Sequence, residues 1–348
     1  MKKLSLLLII AMLVSTLAVG CGSKTTDTGV TPPPADQVVL RMASDHPIDH
    51  IATRANQKLI ADVLAATNGR IKIDLYPASQ LGDYNTVYPE IVKGTIDIAH
   101  ITIPDSLDGR LGAAYTPYLT TGYDQAKIIY APGGYLYNKF VEYNSVLGVK
   151  FLGFFIEGYI GMGTIKEPKD MFTPGTDKGL KIRVWAAPAS RAPITDLGYT
   201  AITVPYAEAP TAIQTGVVDG WIGGTPNVNY HWVGEVIKNF YVTYMHAEST
   251  SYVMNQAKFD SFSAEDQKIL TDAFAAASNS SFVDAKAEDE KWLGELTKLG
   301  VKVTIYTPEQ IQTLADFVRT TSWPKLESVY TKDLLDGLKA EVAKSEAK

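Results

Sequence analysis

From Val38 onward the chain switches back and forth between two hydrophobic periods, and this switching constrains its fold more than any other feature. Val38-Val39-Leu40-Arg41-Met42-Ala43 reads as a strand. Ile51, Ala55, Leu59 and Val63 then recur every four residues within 51–66, which gives one apolar face of a helix. Asn68-Gly69 accepts the positive φ that ends such a helix. Ile71, Ile73 and Leu75 alternate with Lys72, Asp74 and Tyr76, a second strand. Tyr84, Val87, Tyr88 and Ile91 mark a second helix, stopped by Gly94, and 96–103 is a further buried strand. Strand–helix–strand–helix–strand is the signature of a parallel α/β sheet.

The rhythm restarts after Gly148, with strands expected over 149–156, 179–185, 200–204 and 217–222. Helices are expected up to Leu197 and over 207–215. A chain of 348 residues also exceeds one comfortable core, so two units of roughly 150 residues are expected. Residues 251–255 form a short apolar strand, after which Ser263, an N-cap candidate, opens a helical pattern running to about Leu299. A helix of ~30 residues spans ~45 Å, longer than one small domain, so it should lie across both units. A late strand over 301–305 and helix from Thr307 to about Ala347, broken near Trp323-Pro324, complete the reading.

The N-terminus is of another kind. Lys2 and Lys3 precede an almost wholly apolar run from Leu4 to Val19, and Ala18 and Gly20 lead into Cys21. This is the layout of a secretory signal over 1–20. The run of about 16 residues is short for a permanent span of ~20. Ala18-Val19-Gly20-Cys21 resembles a bacterial lipobox, although Ala18 stands where leucine is preferred and Leu17 sits one place too early. Cys21 is the only cysteine, so no intrachain disulfide or thiolate cluster can form, and lipidation at Cys21 is expected. The polar, Thr- and Pro-rich segment that follows makes 21–37 a lipidated tether. Together these place the protein outside the cytoplasm, lipid-anchored to the cell membrane.

Composition excludes several classes. With 46% hydrophobic and 20% charged residues the chain is neither disordered nor fibrous. A formal net charge of −6 gives no electrostatic reason to bind nucleic acid. Gly-x-Ser-x-Gly, Gly-x-x-x-x-Gly-Lys-Ser/Thr and His-Glu-x-x-His are absent, and Gly161-Met162-Gly163-Thr164 lacks the third glycine of a dinucleotide loop. No thiol is left for catalysis and no cofactor is indicated. These absences leave nothing to recommend an anchored extracellular enzyme over a lipoprotein that captures a ligand, for transport or for sensing through a receptor.

Six blocks together carry a family resemblance. The longest runs from Lys178-Gly179-Leu180-Lys181-Ile182-Arg183-Val184 through Leu197-Gly198 and Val204-Pro205-Tyr206-Ala207-Glu208 to Ala212-Ile213-Gln214-Thr215-Gly216-Val217-Val218-Asp219-Gly220. Asp45-His46-Pro47, Ser79-Gln80-Leu81-Gly82 and Gly94-Thr95-Ile96-Asp97-Ile98-Ala99 agree. In order and spacing the chain resembles the dicarboxylate-binding type of solute-binding protein of TRAP transporters, the tripartite ATP-independent periplasmic transporters.

The resemblance implies an α/β, two-lobe periplasmic binding protein fold of type II-like form, with a long helix spanning both lobes and a ligand cleft between them. Lobe 1 would comprise 38–160 plus about 250–285, lobe 2 161–249 plus about 286–330, and 331–348 a C-terminal helix. The ligand would be a small carboxylate and the partners TRAP membrane permease subunits. Arg183 would pair with the ligand carboxylate, since a guanidinium fork matches a carboxylate bidentately. Many relatives carry a second arginine where this chain has Ile160, and an asparagine where it has Gly223. Loss of both anchors points to a monocarboxylate. Trp185, on the same side as Arg183 by strand parity, with Tyr206, Trp221 and Tyr159, would supply aromatic walls. His46 and Thr102, at the ends of first-lobe strands, would touch the ligand from the other side. Asp45-His46-Pro47-Ile48-Asp49-His50 has metal-like spacing but also suits a helix start, the reading preferred here, so no metal is assigned. His100, His231 and His246 read as structural.

Overall fold

A computed structural model describes residues 37–347. The signal, Cys21 and the tether up to residue 36 lie outside the described residues. The last tether residue, Gln37, belongs to the body instead: its side-chain amide donates to the Gly69 carbonyl at 2.8 Å.

Among the described residues nine strands form one sheet: β1 Val38–Ser44, β2 Ile71–Tyr76, β3 Ile98–Ile101, β4 Val149–Thr164, β5 Lys181–Val184, β6 Thr200–Thr203, β7 Gly220–Ile222, β8 Asn239–Asn255 and β9 Lys302–Ile305. Their order is β2-β1-β3-β8-β4-β7-β5-β6, with β9 against β8. The parallel pairing expected of the first three strands holds, within a sheet that is mixed as a whole. Parallel β2-β1-β3 lies at one end and parallel β7-β5-β6 at the other. The antiparallel pair β4 and β8 joins them.

β4 and β8 run 16 and 17 residues, far beyond the expected 149–156 and 251–255. Their side chains are buried on both faces, so the alternation that flags a strand is missing. Three register shifts bend the pair. At one of them, Gly158 has φ +144, and a Cβ there would stand 2.4 Å from Asp289 Oδ1. Only glycine lets the strand come this close to the long helix.

The helix Ile51–Ala66 has the expected bounds, and its buried Ile51, Leu59 and Val63 each contribute about 1.5–3 kcal/mol against exposure. The long helix is Ala264–Lys298, with Ser263 Oγ accepting from the Asp266 amide at 3.1 Å. Its early Leu270, Phe274 and Ala277 pack with Leu40, Met42 and Ile73 of the first half. Its late Leu296 packs with Trp221 and Val233 of the second. One helix thus shares the cores of both α/β halves, as its length implied. The C-terminal pattern resolves into Pro308–Thr321 and Lys332–Glu346, broken where expected by a 3-10 turn at Trp323–Leu326. Helices Tyr123–Ile129, Tyr135–Val146 and Pro226–Val233 were not anticipated. No helix of the described residues is long and apolar enough to cross a membrane.

Candidate ligand-binding site

Arg183 lies near the carboxyl end of β5. Its neighbours Ile182 and Val184 fill the core as expected, yet Arg183 itself is only 1% exposed. Its Nε donates to the Val204 carbonyl at 2.9 Å and its Nη1 to that of Ile222 at 3.4 Å. Among the described residues no carboxylate pairs with it. Burial pushes its pKa down to about 10, against the opposing pull of the Tyr84 and Tyr206 phenols. A buried guanidinium held only by neutral carbonyls is a costly arrangement that an anion would relieve.

The walls around Arg183 are aromatic. The Tyr206 and Trp221 rings lie 5.8 and 5.9 Å from the guanidinium carbon. Trp221 is fully buried, donates from Nε1 to Asn229 Oδ1 at 2.8 Å, and stacks at 6.4 Å on Trp232. Gly223 sits against both: a Cβ there would meet Trp221 Cε3 at 2.6 Å and Arg183 Nη1 at 3.3 Å. The indole therefore occupies the space an asparagine side chain would need.

The other predicted residues divide into two groups. Thr102 Oγ1 lies 3.0 Å from the Tyr115 hydroxyl, which donates to Glu248 Oε1 at 2.7 Å. His46 Nε2 lies 2.5 Å from Glu157 Oε1. Arg183, Glu248, Glu157 and Asp45 all act electrostatically on the Tyr206 phenol, so these groups share one region. Burial foremost, then the charge of Glu157, holds the Glu248 carboxyl above the usual carboxylate range. Burial likewise pushes Asp45 up to about 6.

Trp185 and Tyr159 pack against aromatic rings other than those beside Arg183. β5 ends at Val184, so strand parity does not extend to Trp185, which packs edge-on to Tyr115 and His246. It lines an open groove of about 470 Å³ with Pro188, Arg191 and Thr203, which Arg183 does not line. Tyr159 is buried among Tyr123 and Tyr244, its hydroxyl 2.7 Å from Thr120 Oγ1.

His50 supports the helix-start reading, because its Nδ1 accepts from the Ala52 amide at 3.2 Å as the N-cap. The sequence reading missed Glu157, Glu248, Tyr84 and Tyr115. Glu157 and Glu248 did carry a signal: each is the one acidic residue of a long apolar strand, β4 and β8 respectively.

The fold is that of TRAP periplasmic solute-binding proteins of known structure. The chain belongs to the bacterial extracellular solute-binding protein family 7, the DctP family of TRAP transporters, whose model matches residues 42–325. It is 26% identical over 259 residues to the 2,3-diketo-L-gulonate-binding periplasmic protein YiaO of Escherichia coli, covering 73% of this chain and 76% of that one. The fold matches a TRAP periplasmic solute-binding protein from Ochrobactrum anthropi with TM-score 0.80 and 22% identity, covering 89% of this chain and 96% of that one. It also matches one from Desulfovibrio salexigens with bound orotic acid, with TM-score 0.78 and 18% identity, covering 88% and 99%. Members of this family are substrate-binding receptors rather than enzymes.

Proposed function

We propose that this protein captures a small organic monocarboxylate between its two lobes and delivers it to a TRAP membrane permease. The observation that carries the reading is Arg183, buried at 1% exposure without a carboxylate partner. One ligand carboxylate would complete its fork, with Tyr206 and Trp221 as the flanking walls. His46 and Thr102 would approach from the first lobe, and contacts from both lobes would favour the closed pair over the open one. Lobe 1 is 38–160 with about 250–285, and lobe 2 is 161–249 with about 286–330. The names of relatives support an organic acid, 2,3-diketo-L-gulonate for one and bound orotic acid for another. Ile160 and Gly223 offer no second charged anchor, which favours a single carboxylate.

The same reading makes the protein a carrier without catalysis of its own, held to the membrane by a lipid on Cys21 and the tether that follows. A thermal-shift screen over monocarboxylates, 2-oxo acids, aromatic acids and dicarboxylates tests it, because ligands of the native state raise stability. Stabilisation by one monocarboxylate class is expected. Stabilisation by dicarboxylates alone would overturn the ligand class, and turnover of a bound acid would overturn the carrier role. Intact mass of the membrane-extracted protein, compared with Cys21→Ser, tests the anchor.

A further inference from the structure

A cluster that shares His46 with the proposed carboxylate site adds two groups, His100 and Glu157, that solute capture does not use. We propose that His46, His100 and Glu157 form a binding site for a first-row divalent transition ion, zinc foremost. His46 follows β1, His100 lies in β3 and Glu157 in β4, so three separate strands bring them together. Their exposures are 8%, 0% and 5%. Their candidate ligand atoms all lie within 4.8 Å of one another. Tetrahedral zinc, with bonds of about 2.1 Å, holds its ligand atoms about 3.4 Å apart, so small side-chain movements suffice.

The surrounding hydrogen bonds orient the donors inward. His100 Nδ1 lies 2.9 Å from Asn56 Oδ1, which also accepts from the Tyr252 hydroxyl at 3.0 Å. An amide oxygen has no proton to give, so the ring proton sits on Nδ1 and Nε2 presents a lone pair. His46 Nδ1 is held at 2.8 Å by Ser44 Oγ. Such outer partners fix the tautomer and orientation of metal-bound imidazoles. His50 uses Nδ1 as the helix cap, so its Nε2 carries a proton toward Glu157 Oε2 at 3.7 Å. That leaves Oε1 as the oxygen facing the two other rings.

Thr250 Oγ1 lies 3.0 Å from His100 Nε2 and 2.6 Å from Glu157 Oε1, and its single proton can satisfy only one of them. An ion pair of His46 with Glu157 would need neither the third ring nor its inward lone pair. A divalent cation accepts from all three groups at once. Two imidazoles and one carboxylate suit zinc and its first-row neighbours, whereas calcium and magnesium prefer all-oxygen sites.

The test uses the untagged mature protein, stripped with chelator, freed of it, and titrated with Zn²⁺ alone and Co²⁺ alone. One equivalent of each should bind, with visible Co²⁺ bands of a low-coordinate site. His100→Ala and Glu157→Gln should lose the equivalent, Asn56→Ala should weaken it by roughly 10–100-fold, and His231→Ala should leave it unchanged. If a ligand variant fails to fold by circular dichroism, the ¹⁵N shift of His100 Nε2 in the wild type on adding Zn²⁺ decides the matter. No uptake by the folded wild type, uptake retained by folded His100→Ala and Glu157→Gln, or an unmoved His100 resonance would each overturn the site. Organic-acid binding is measured separately on the metal-free protein, so failure of the metal site and failure of the carboxylate reading are distinguishable.

Discussion

Gly223 and Arg183 meet so closely that a methyl group on the glycine would stand 3.3 Å from the arginine's Nη1. The same methyl would press into the Trp221 ring at 2.6 Å. Gly223→Ala and Gly223→Asn should therefore lose about 1–3 kcal/mol of stability through overpacking and displace the guanidinium. Chemical denaturation and calorimetry with the screened ligand check this. An asparagine variant with wild-type stability and affinity would show that the indole does not hold this space.

Arg183→Ala should fold normally and lose at least roughly 100-fold in affinity for the carboxylate, since each charge-assisted hydrogen bond is worth about 1.5–3 kcal/mol. Arg183→Lys should recover only part of it, because an ammonium cannot reproduce the fork. Calorimetry on both variants measures the difference. Near-wild-type binding by the alanine variant would remove Arg183 from the site.

On the proposed carboxylate reading, Glu248 should make binding pH-dependent. Its carboxyl is held above the usual range by burial and by Glu157, so at moderate pH it is the protonated form that would stand near the proposed ligand. As pH rises the group ionises beside an anion, and affinity falls. Asp45, pushed up to about 6, adds to the fall at lower pH. Glu248→Gln should flatten the high-pH limb by roughly tenfold, the equivalent of ~1.4 kcal/mol. Affinities measured from pH 5 to 9 on both proteins decide it, and parallel profiles would exclude Glu248.

Asp289 couples stability to pH with a definite sign. Burial pushes its carboxyl up to about 8, while the Tyr123 hydroxyl and the Tyr159 amide, the latter at 2.9 Å, donate to Oδ2. Between the ordinary carboxylate pKa and 8 the native state holds a proton that the unfolded state lacks. The stabilising contribution is therefore complete below the unfolded pKa and is lost as pH rises through the folded one, at up to about 1.4 kcal/mol per pH unit. Asp289→Asn keeps an acceptor for both donors and should make urea stability flatter from pH 5 to 8. An unchanged slope would show that Asp289 does not titrate this way.

Much of this protein is legible residue by residue, because helices and their ends answer to local chemistry. The four-residue spacing of Ile51–Val63, the Ser263 cap and the left-handed Gly94 at φ +77 each sit where the sequence put them. Arg183 could be singled out only because it stands in a family motif, and its strand neighbours faced the core as period two requires. The length of β4 and β8 was not legible, since strands buried on both faces carry no alternation. Nor was the mixed direction of the sheet, which depends on which strands pair across more than a hundred residues. The sequence by itself determined two α/β halves and a helix long enough to join them. Only the tertiary structure decided that Glu157, 111 residues from His46, would share its ring proton, that Glu248 would accept from the Tyr115 hydroxyl, and that Trp221 would fill the space beside Gly223. Those contacts are set by packing between distant segments, which no local pattern encodes.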